Sequence, residues 1–531
     1  SLIKNTIGEV ILAGSNTYSG GASINAGTLT LLTNGGLSPI SNLTLNAGSL
    51  SLGSTNQTLG VLTLVSGVIN GAAGSLSGSA YNVQAGSINT RLIGSGSLTK
   101  TSAGEIILAN ANTYSGPTSI LAGTLTLLSN GALSASSPLT LTGGLLSLGA
   151  TNQTINSLTL TAGNITGSGS LTGGTFTLES GSVWTALAGT GTLTKNTVGE
   201  VVLAAANTYS GATAVNAGTL TLAVNNALSS LTDMIVNGGE VALANTTQHA
   251  SSLTLNSGSV SGGTLFANAY AAKSGLISSL LTGSGTFTKS SSGTVLLTGA
   301  NTLSGKTDVS GGTLQLSGLG KIATGSLTIS GSSALNLGAS TQNVSSFRLT
   351  DGLLANGTLN ATTFALENGS VSAVLSGSAA VVKSTSGSVN LSGANTLTGS
   401  TDVNAGAIII TGAGKIASGT LTLSDSTSVL DLGTTTQSVT AFRLSSGSLQ
   451  NGSLSATSYT LENGFISTNL LGSAALQKNT PGTVVLSGAN VLSGSTNVSD
   501  GTLMVTGAGK IGSGSLTLLS ATASVDLANT S

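Results

Sequence analysis

The sequence predicts an all-β protein, a β-solenoid in which short parallel strands stack coil upon coil. Three observations predict it: a motif that returns about every 95 residues, a glycine that returns about every 19, and an alternation of leucine with threonine or serine between those glycines. A fixed period indicates units that bury their apolar faces only by stacking on their neighbours. We therefore expect the 531 residues to form one array of about 28 coils, and not several globular domains.

The longer period is carried by Asn16 to Leu31, which reads N-T-Y-S-G-G-A-S-I-N-A-G-T-L-T-L and returns five times, at steps of 96, 95, 94, 94 and 95 residues. We predict a single continuous solenoid over residues 1–531. Its repeats cover residues 1–96, 97–191, 192–285, 286–379 and 380–474, with a partial repeat at 475–531. One asparagine and one glycine mark each repeat, and we interpret these markers as structural: Asn16, Asn112, Asn207, Asn301, Asn395, Asn490, Gly27, Gly123, Gly218, Gly312, Gly406 and Gly501.

The shorter period defines the coil. In the first repeat the small-residue-plus-glycine steps are 21, 19, 19 and 18 residues, so each repeat of about 95 residues holds five coils of about 19. The L-x-L alternation places leucine on one face of a strand and threonine or serine on the other. Glycine between two strands supplies a bend where a side chain would obstruct. Helix-forming stripes are absent, and at the strand spacing of about 4.8 Å such a stack would be on the order of 130 Å long.

Composition excludes several classes of protein. Charged residues make up 5% of the chain, 39% is hydrophobic and the net charge is −1, which together argue against disorder and against binding to nucleic acid or anionic membranes. With no cysteine there is no disulfide framework and no thiolate metal site. No apolar run approaches 18 residues, the length of a membrane-spanning helix. Because the chain starts in a strand-like sequence and stops part-way through a repeat, we expect a segment of a longer protein.

The marker motif, with G-E-V-I-L-A-G-S at Gly8 to Ser15 before it, resembles the autotransporter-associated β-strand repeat of bacterial type V secreted surface proteins. The resemblance recurs six times and extends over the whole chain. It implies a right-handed parallel β-helix, export through the outer membrane, and display at or release from the cell surface. It implies no catalytic residues.

Candidate chemistry is sparse. Six lysines share one phase of the repeat and three glutamates follow five residues later, a pattern we interpret as solvated pairs at strand ends: Lys4, Lys100, Lys195, Lys289, Lys383, Lys478, Glu9, Glu105 and Glu200. The G-A-G-K sequences that end at Lys415 and Lys510 resemble a phosphate loop, but an isoleucine follows and no helix is predicted, so we interpret them as turns.

A β-helix enzyme that degrades acidic polysaccharides would need clustered carboxylates, and the nearest grouping is Asp425 and Asp431 with Arg443 beyond. His249 is the sole histidine, which excludes a histidine-based triad. Trp184, the sole tryptophan, is interpreted as a packing residue in preference to a sugar platform. We predict no catalytic, cofactor or metal site.

The leading functional hypothesis is a non-enzymatic extracellular structural protein. It would be a rigid rod at the bacterial cell surface, serving as a stalk, an adhesin shaft, or a building block of a filament or sheath that self-associates end to end or laterally. The first alternative is an adhesin module that binds surface glycans or other cells, with ice binding through threonine ladders at T-L-T as a variant. The weakest alternative is a polysaccharide-degrading β-helix enzyme.

Overall fold

In the computed structural model, which describes residues 1–528, the chain forms strands and turns and no helix. The strands pair in parallel with strands about one coil away along the chain; Leu29 lies opposite Leu50, for example. Parallel strands in stacked coils of about 19 residues confirm the predicted all-β parallel β-helix. Contacts group the chain into two compact units, Ser1–Ala267 and Asn268–Ser531.

The leucine alternation explains each coil. In the strand Thr28–Leu31 both leucines are buried and both threonines are half-buried. Hydrogen-bonded neighbours place like side chains on top of one another, so the buried residues form columns along each face. One such column of the first face runs, in register, through Ile24, Leu45, Leu64 and Val83. Burial of these columns holds the coils together.

Each coil contributes a strand to a first face and a strand to a second face, and groups of three or four successive coils extend the chain into a third, shorter face. In unit one the strands of the first face are Leu2–Lys4, Ala22–Ile24, Leu43–Leu45, Val61–Leu64, Ala80–Val83, Ser97–Lys100, Thr118–Ile120, Leu139–Leu141, Leu158–Leu160, Thr175–Leu178, Thr192–Lys195, Thr213–Val215, Asp233–Val236 and Thr247–Leu255. Those of the second face are Glu9–Leu12, Thr28–Leu31, Ser49–Ser51, Val68–Ser77, Gly86–Ile93, Glu105–Leu108, Thr124–Leu127, Leu145–Ser147, Asn164–Thr166, Gly181–Val183, Glu200–Leu203, Thr219–Leu222, Glu240–Ala242 and Ser259–Ser261.

The third face of unit one begins at Asn56–Thr58, which pairs with the second half of Val68–Ser77, and that half pairs in turn with the second half of Gly86–Ile93. In the next repeat it consists of Gln153–Thr154, Ser170–Thr172 and Ala186–Ala188. The strand Thr264–Ala272 contains the boundary between the two units.

Unit two is built the same way. Its first-face strands are Thr286–Lys289, Thr307–Val309, Ser326–Ile329, Ser346–Leu349, Phe364–Leu366, Val381–Lys383, Thr401–Val403, Thr420–Leu423, Ala441–Leu444, Tyr459–Leu461, Leu476–Lys478, Thr496–Val498 and Leu516–Leu518. Leu280–Gly283 and Thr302–Leu303 pair with each other in the phase of the third face and join the same hydrogen-bonded sheet. The second-face strands are Gly275–Ile277, Thr294–Leu297, Thr313–Leu316, Ala334–Asn336, Leu353–Ala355, Gly369–Val371, Ser388–Leu391, Ala407–Ile410, Val429–Asp431, Ser448–Gln450, Gly464–Ile466, Thr483–Leu486, Thr502–Val505 and Ser524–Asp526. Two short third-face sheets consist of Thr341–Val344, Thr358–Ala361, Val374–Gly377 and Thr396–Leu397, and of Thr436–Val439, Ser453–Ala456, Asn469–Gly472 and Val491–Leu492.

Candidate functional site

The marker asparagines tie consecutive coils together. Asn112 is buried and donates from Nδ2 to Asn110 O in its own coil at 3.1 Å and to Ala132 O in the following coil at 2.6 Å. Its Oδ1 accepts from Leu92 N of the preceding coil at 2.8 Å. The bonds to the preceding and following coils recur at Asn207, Asn301, Asn395 and Asn490, and Asn16 donates to Gly14 and Gly36. Each marker asparagine from Asn112 onward therefore joins three successive coils.

The marker glycines occupy bends that no other residue fits well. All six have positive φ, from 59° at Gly312 to 74° at Gly501, a region that side-chain-bearing residues rarely adopt. At Gly123 a Cβ would also clash with the carbonyl oxygens of Ser102 and Gly104 in the preceding coil. The glycine therefore serves both the bend and the close approach of two coils.

The six in-phase lysines are buried, so the expectation of solvated lysine–glutamate pairs is wrong. Lys100 has no exposed surface and lies in the apolar column of the first face, between Val83 and Ile120. Its ammonium donates to Ser102 O and, at 3.2 Å, to Ala122 O. The corresponding two carbonyls accept from Lys4, Lys289, Lys383 and Lys478, and Lys195 donates to the first of them, Thr197 O.

Burial lowers the pKa of Lys100 below the usual value for lysine, because removal from water disfavours the charged ammonium. The pKa of Lys195, Lys289, Lys383 and Lys478 is lowered for the same first reason.

The three glutamates face outward and bind threonines of the next coil. Thr126 Oγ1 donates to Glu105 Oε1 at 2.6 Å, and Glu9 and Glu200 accept in the same way from Thr30 and Thr221. Strand alternation puts the lysine inside and the glutamate outside, so the two cannot pair. The ion pairs that the structure does show within residues 1–528 are Lys306–Asp308, Arg348–Glu367 and Arg443–Glu462.

A buried glutamine is a second tie of each repeat, and it escaped the sequence analysis. Gln153 accepts from Leu133 N at 3.0 Å and donates to Ser129 O at 2.8 Å, both in the preceding coil. The same residue recurs in phase at Gln57, Gln248, Gln342 and Gln437, all at most 3% exposed. The regular spacing of this glutamine, always two residues after a threonine or serine, is the sequence pattern that could have revealed it.

The repeats form two groups, which differ in how they satisfy one buried threonine. The third residue of the marker motif is tyrosine in the first three repeats and leucine in the last three: Tyr18, Tyr114, Tyr209, Leu303, Leu397 and Leu492. In the second and third repeats the phenol lies within hydrogen-bond distance of that threonine: Tyr114 Oη is 2.7 Å from Thr118 Oγ1, and Tyr209 Oη is 2.7 Å from Thr213 Oγ1. The first repeat has Ala22 in place of the threonine, and its buried Tyr18 Oη has no hydrogen-bond partner among the described residues.

Where the marker motif has leucine, a backbone N–H takes over, as Ala323 N donates to Thr307 Oγ1 at 3.1 Å. The G-x-G-K-I turn that accompanies leucine supplies this N–H, so the two sequence changes are physically linked.

The remaining sequence candidates form no catalytic constellation. Asp425 closes its own turn through Thr427, Asp431 accepts from Gly433 N and Asn451, and Arg443 pairs with Glu462 on another face. Within residues 1–528 no three histidine, cysteine or acidic side chains come together as metal ligands would. In the G-A-G-K turns the lysine's carbonyl accepts from the marker asparagine, for example Lys415 O from Asn395 at 2.7 Å.

Trp184 is not a packing residue, contrary to expectation: 56% of it is exposed, and its Nε1 donates to Ser182 Oγ at 2.9 Å. His249 stacks on Phe266 with ring centres 4.9 Å apart, and its Nδ1 lies 2.9 Å from Asn226 Oδ1. Both sites are surface features.

Two open cavities lie on unit one. One of about 470 Å³ lies beside Thr208, Leu231 and His249, and one of about 300 Å³ lies beside Arg91 and Asn110. Among the residues that line them, neither cavity brings a nucleophile into hydrogen-bond contact with a base.

Comparison with known proteins identifies the repeat. The family model of the passenger-associated-transport repeat matches residues 2–31, 98–127, 188–222, 287–316, 381–410 and 476–505, which confirms the resemblance drawn from the marker motif. The chain is also 33% identical over 475 residues to the adhesin BmaC autotransporter of Brucella suis biovar 1 (strain 1330). That match covers 80% of this chain and 13% of the relative, so the chain spans a small part of the relative's length. No solved structure matches. Residues 1–528 hold no apolar helix long enough to cross a bilayer.

Proposed function

Because the chain carries six copies of the passenger-associated-transport repeat, we propose that it is a stretch of a secreted β-solenoid passenger, displayed at the bacterial cell surface as a stiff adhesin shaft. In this proposal residues 1–531 form one continuous solenoid. Its task is mechanical, to hold a binding region away from the cell.

The observation that carries the proposal is the tie made by each marker asparagine. A coil stacked only through leucines could slide against its neighbour, since apolar contacts are non-directional. Buried amide bonds from Asn112 to Leu92 and Ala132 fix the positions of three coils at once. Gln153 adds two further bonds between coils in the same repeat. A stack held in register at regular intervals is suited to bear load.

A non-enzymatic role is supported by the use of the polar side chains. Buried lysines, asparagines and glutamines are occupied with backbone groups of neighbouring coils, and the acidic residues with threonines, turns or arginines. The polysaccharide-degrading alternative needs clustered carboxylates, and Asp425, Asp431 and Arg443 lie in separate turns and faces.

A second candidate, an adhesin module that itself binds glycans or cells, is favoured by the similarity to an adhesin and by the exposed aromatic side chains of Trp184 and Phe266.

A third candidate function is lateral self-association of the chain, through a surface that carries very few charges. Scattering from dilute solutions that shows only monomers at every concentration would exclude it.

Force spectroscopy on the full chain, tethered at both ends, tests the shaft. We expect coils to peel off one after another, each releasing roughly 65 Å of chain, from about 19 residues at about 3.5 Å each. A chain that extends smoothly at low force would contradict a load-bearing role.

Adhesion of beads coated with the chain distinguishes the shaft from the adhesin module. Beads that bind host cells favour the adhesin module, and beads that do not bind favour the shaft.

A further inference from the structure

The third face of unit one, with the corner that leads into it, carries side chains that the repeat pattern does not explain. Arg91 lies on this face, opposite Ser75. The same phase of the later repeats holds Ala186, Leu280, Val374 and Asn469, each one residue before the leucine that bonds the marker asparagine. Arginine at this position is thus specific to the first repeat.

Arg91 is the one cation of unit one that reaches solvent. Unit one has four basic residues, and Lys4, Lys100 and Lys195 are buried and donate to backbone carbonyls. Arg91 is exposed, and its guanidinium has no hydrogen-bond or ion-pair partner in the part of the chain that the structure describes. By contrast Arg348 and Arg443 in unit two each pair with a glutamate. Five donors in a planar fork are therefore available to a ligand.

A local insertion forms a cavity beside this guanidinium. Strand pairing jumps from Thr90–Gly71 to Arg91–Ser75, so residues 72–74 leave the ladder and bulge outward. The step from Gly67 to Gly86 is 19 residues, one more than the corresponding step from Gly163 to Gly181, and this extra residue accounts for the 96-residue first repeat. The bulge borders a cavity of about 300 Å³ that is also lined by Arg91 and Asn110.

Asn110 completes the polar lining. Its Nδ2 donates to Asn89 O at 2.8 Å, which leaves its Oδ1 as an acceptor. The cavity thus combines a fork that fits a carboxylate with an acceptor that fits a hydroxyl group. A sugar that carries a carboxylate presents both groups.

Exposed aromatic side chains continue this surface into the next two repeats. Trp184 lies two residues before the third-face strand Ala186–Ala188, at a phase where other repeats have Asn89, Ser278, Ser372 and Ser467. His249, stacked on the 38% exposed Phe266, replaces Thr58, Thr154, Asn343 and Ser438. Exposed flat rings at positions that are polar in the other repeats are suited to stack on the apolar faces of sugar rings.

We infer that the third face of unit one binds an acidic glycan, with the carboxylate of a uronic or sialic acid on Arg91 and further sugar rings on Trp184 and on the His249–Phe266 pair. This inference rests on the second candidate function, the adhesin module that itself binds glycans, because it names the ligand class of that module. Binding weakens with salt, since a charge pair at the surface is screened.

The test is calorimetric titration of the full chain with hyaluronan oligosaccharides and sialyllactose, each beside its carboxyl-reduced form. We expect the acidic forms to bind and the reduced forms to bind at least tenfold more weakly. Arg91→Gln should weaken binding of the acidic forms about tenfold or more, the size expected for a charge-assisted pair. The matched control Arg443→Gln, which removes an arginine already paired with Glu462, should leave binding unchanged. Trp184→Ser, the residue of other repeats, should weaken binding of long oligosaccharides only.

The inference is overturned if no acidic glycan binds, or if Arg91→Gln binds as well as the unmodified chain. Adhesion of coated beads separates this outcome from failure of the adhesin itself. Beads that adhere to cells without any acidic-glycan binding retain the adhesin and exclude this ligand, whereas loss of both excludes both.

Discussion

The ammonium of Lys100 lies so close to Gly123 that a Cβ built on the glycine would stand 2.6 Å from Lys100 Nζ. The same contact recurs between Lys195 and Gly218 at 2.8 Å and between Lys383 and Gly406 at 2.7 Å. The marker glycine thus packs directly against the lysine ammonium, so a side chain at the glycine would displace the lysine from its carbonyl partners.

Gly123→Ala should lower the free energy of unfolding by about 3 kcal/mol or more. The positive φ of 68° costs an L-residue about 1–2 kcal/mol, and the overlap with Ser102 O and Lys100 Nζ adds to it. Urea denaturation measures the change. Gly53→Ala is the control, because Gly53 has φ of 56° with no atom within 4 Å, and it should cost only about 1 kcal/mol. Equal losses in the two variants would show that the close contacts of Gly123 with Ser102 O and Lys100 Nζ add nothing to the cost of its positive φ.

Lys100→Met should destabilise the chain by about 2 kcal/mol at neutral pH, because Ser102 O and Ala122 O lose their donor. The deficit should grow as pH rises. The folded-state pKa of Lys100 is lowered, so between that pKa and the unfolded value near 10.5 the unfolded chain binds more protons at this residue, and the resulting gain in stability with pH is present only in the chain that keeps Lys100.

Denaturation curves of the unmodified chain and of Lys100→Met, recorded from neutral pH to pH 10.5, check this expectation. The other buried lysines are present in both chains, so their contributions cancel in the difference between the two free energies of unfolding. Parallel stability profiles would contradict it. The exposed, surface-paired Lys306 provides the control: Lys306→Met should change stability by less than about 1 kcal/mol.

Asn112→Ala should cost about 3 kcal/mol, because it leaves Leu92 N and Ala132 O without partners in a buried place. The exposed Asn46, which donates to Asn25 Oδ1 at 2.7 Å in a surface ladder, is the matched control and should cost less than about 1 kcal/mol when changed to alanine. Urea midpoints at one pH are sufficient. A cost at Asn112 no larger than at Asn46 would show that the ties between coils are not needed for stability.

Tyrosine ionisation should reveal the buried phenols. Burial raises the pKa of Tyr81, Tyr114 and Tyr209 to about 12. Ultraviolet titration of the folded chain should therefore show a late step absent from the chain in concentrated guanidinium, and Tyr114→Phe should reduce it. Because the folded-state pKa is raised, these tyrosines contribute stability that is complete below pH 10 and lost between about pH 10 and 12. A single step near pH 10 in a chain still folded by circular dichroism would be contrary evidence.

The coil could be predicted from sequence because strand alternation is a local property. The same alternation, applied to S-L-T-K at Ser97 to Lys100, places the lysine on the side of Leu98, but the usual preference of charges for solvent led to the opposite expectation. The ties made by Asn112 and Gln153 were beyond reach, since their partners are backbone groups about 20 residues away that only stacking brings near. The open guanidinium of Arg91 depends on a bulge whose one-residue insertion is visible in sequence, although its cavity is not.

The pairing of each strand with neighbours about 20 residues away also bears on folding speed. Parallel sheets ordinarily form slowly, because distant segments must meet before any contact rewards them. Here the sequence separation between paired residues equals the length of one coil, as in Leu29 opposite Leu50 or Leu125 opposite Leu146. It does not increase with the length of the chain. Divided by 531 residues it gives a relative contact order of roughly 0.04, below the range of helical bundles. Each new coil closes only a short loop onto a template already formed, so lengthening the array adds folding steps without making any one of them harder.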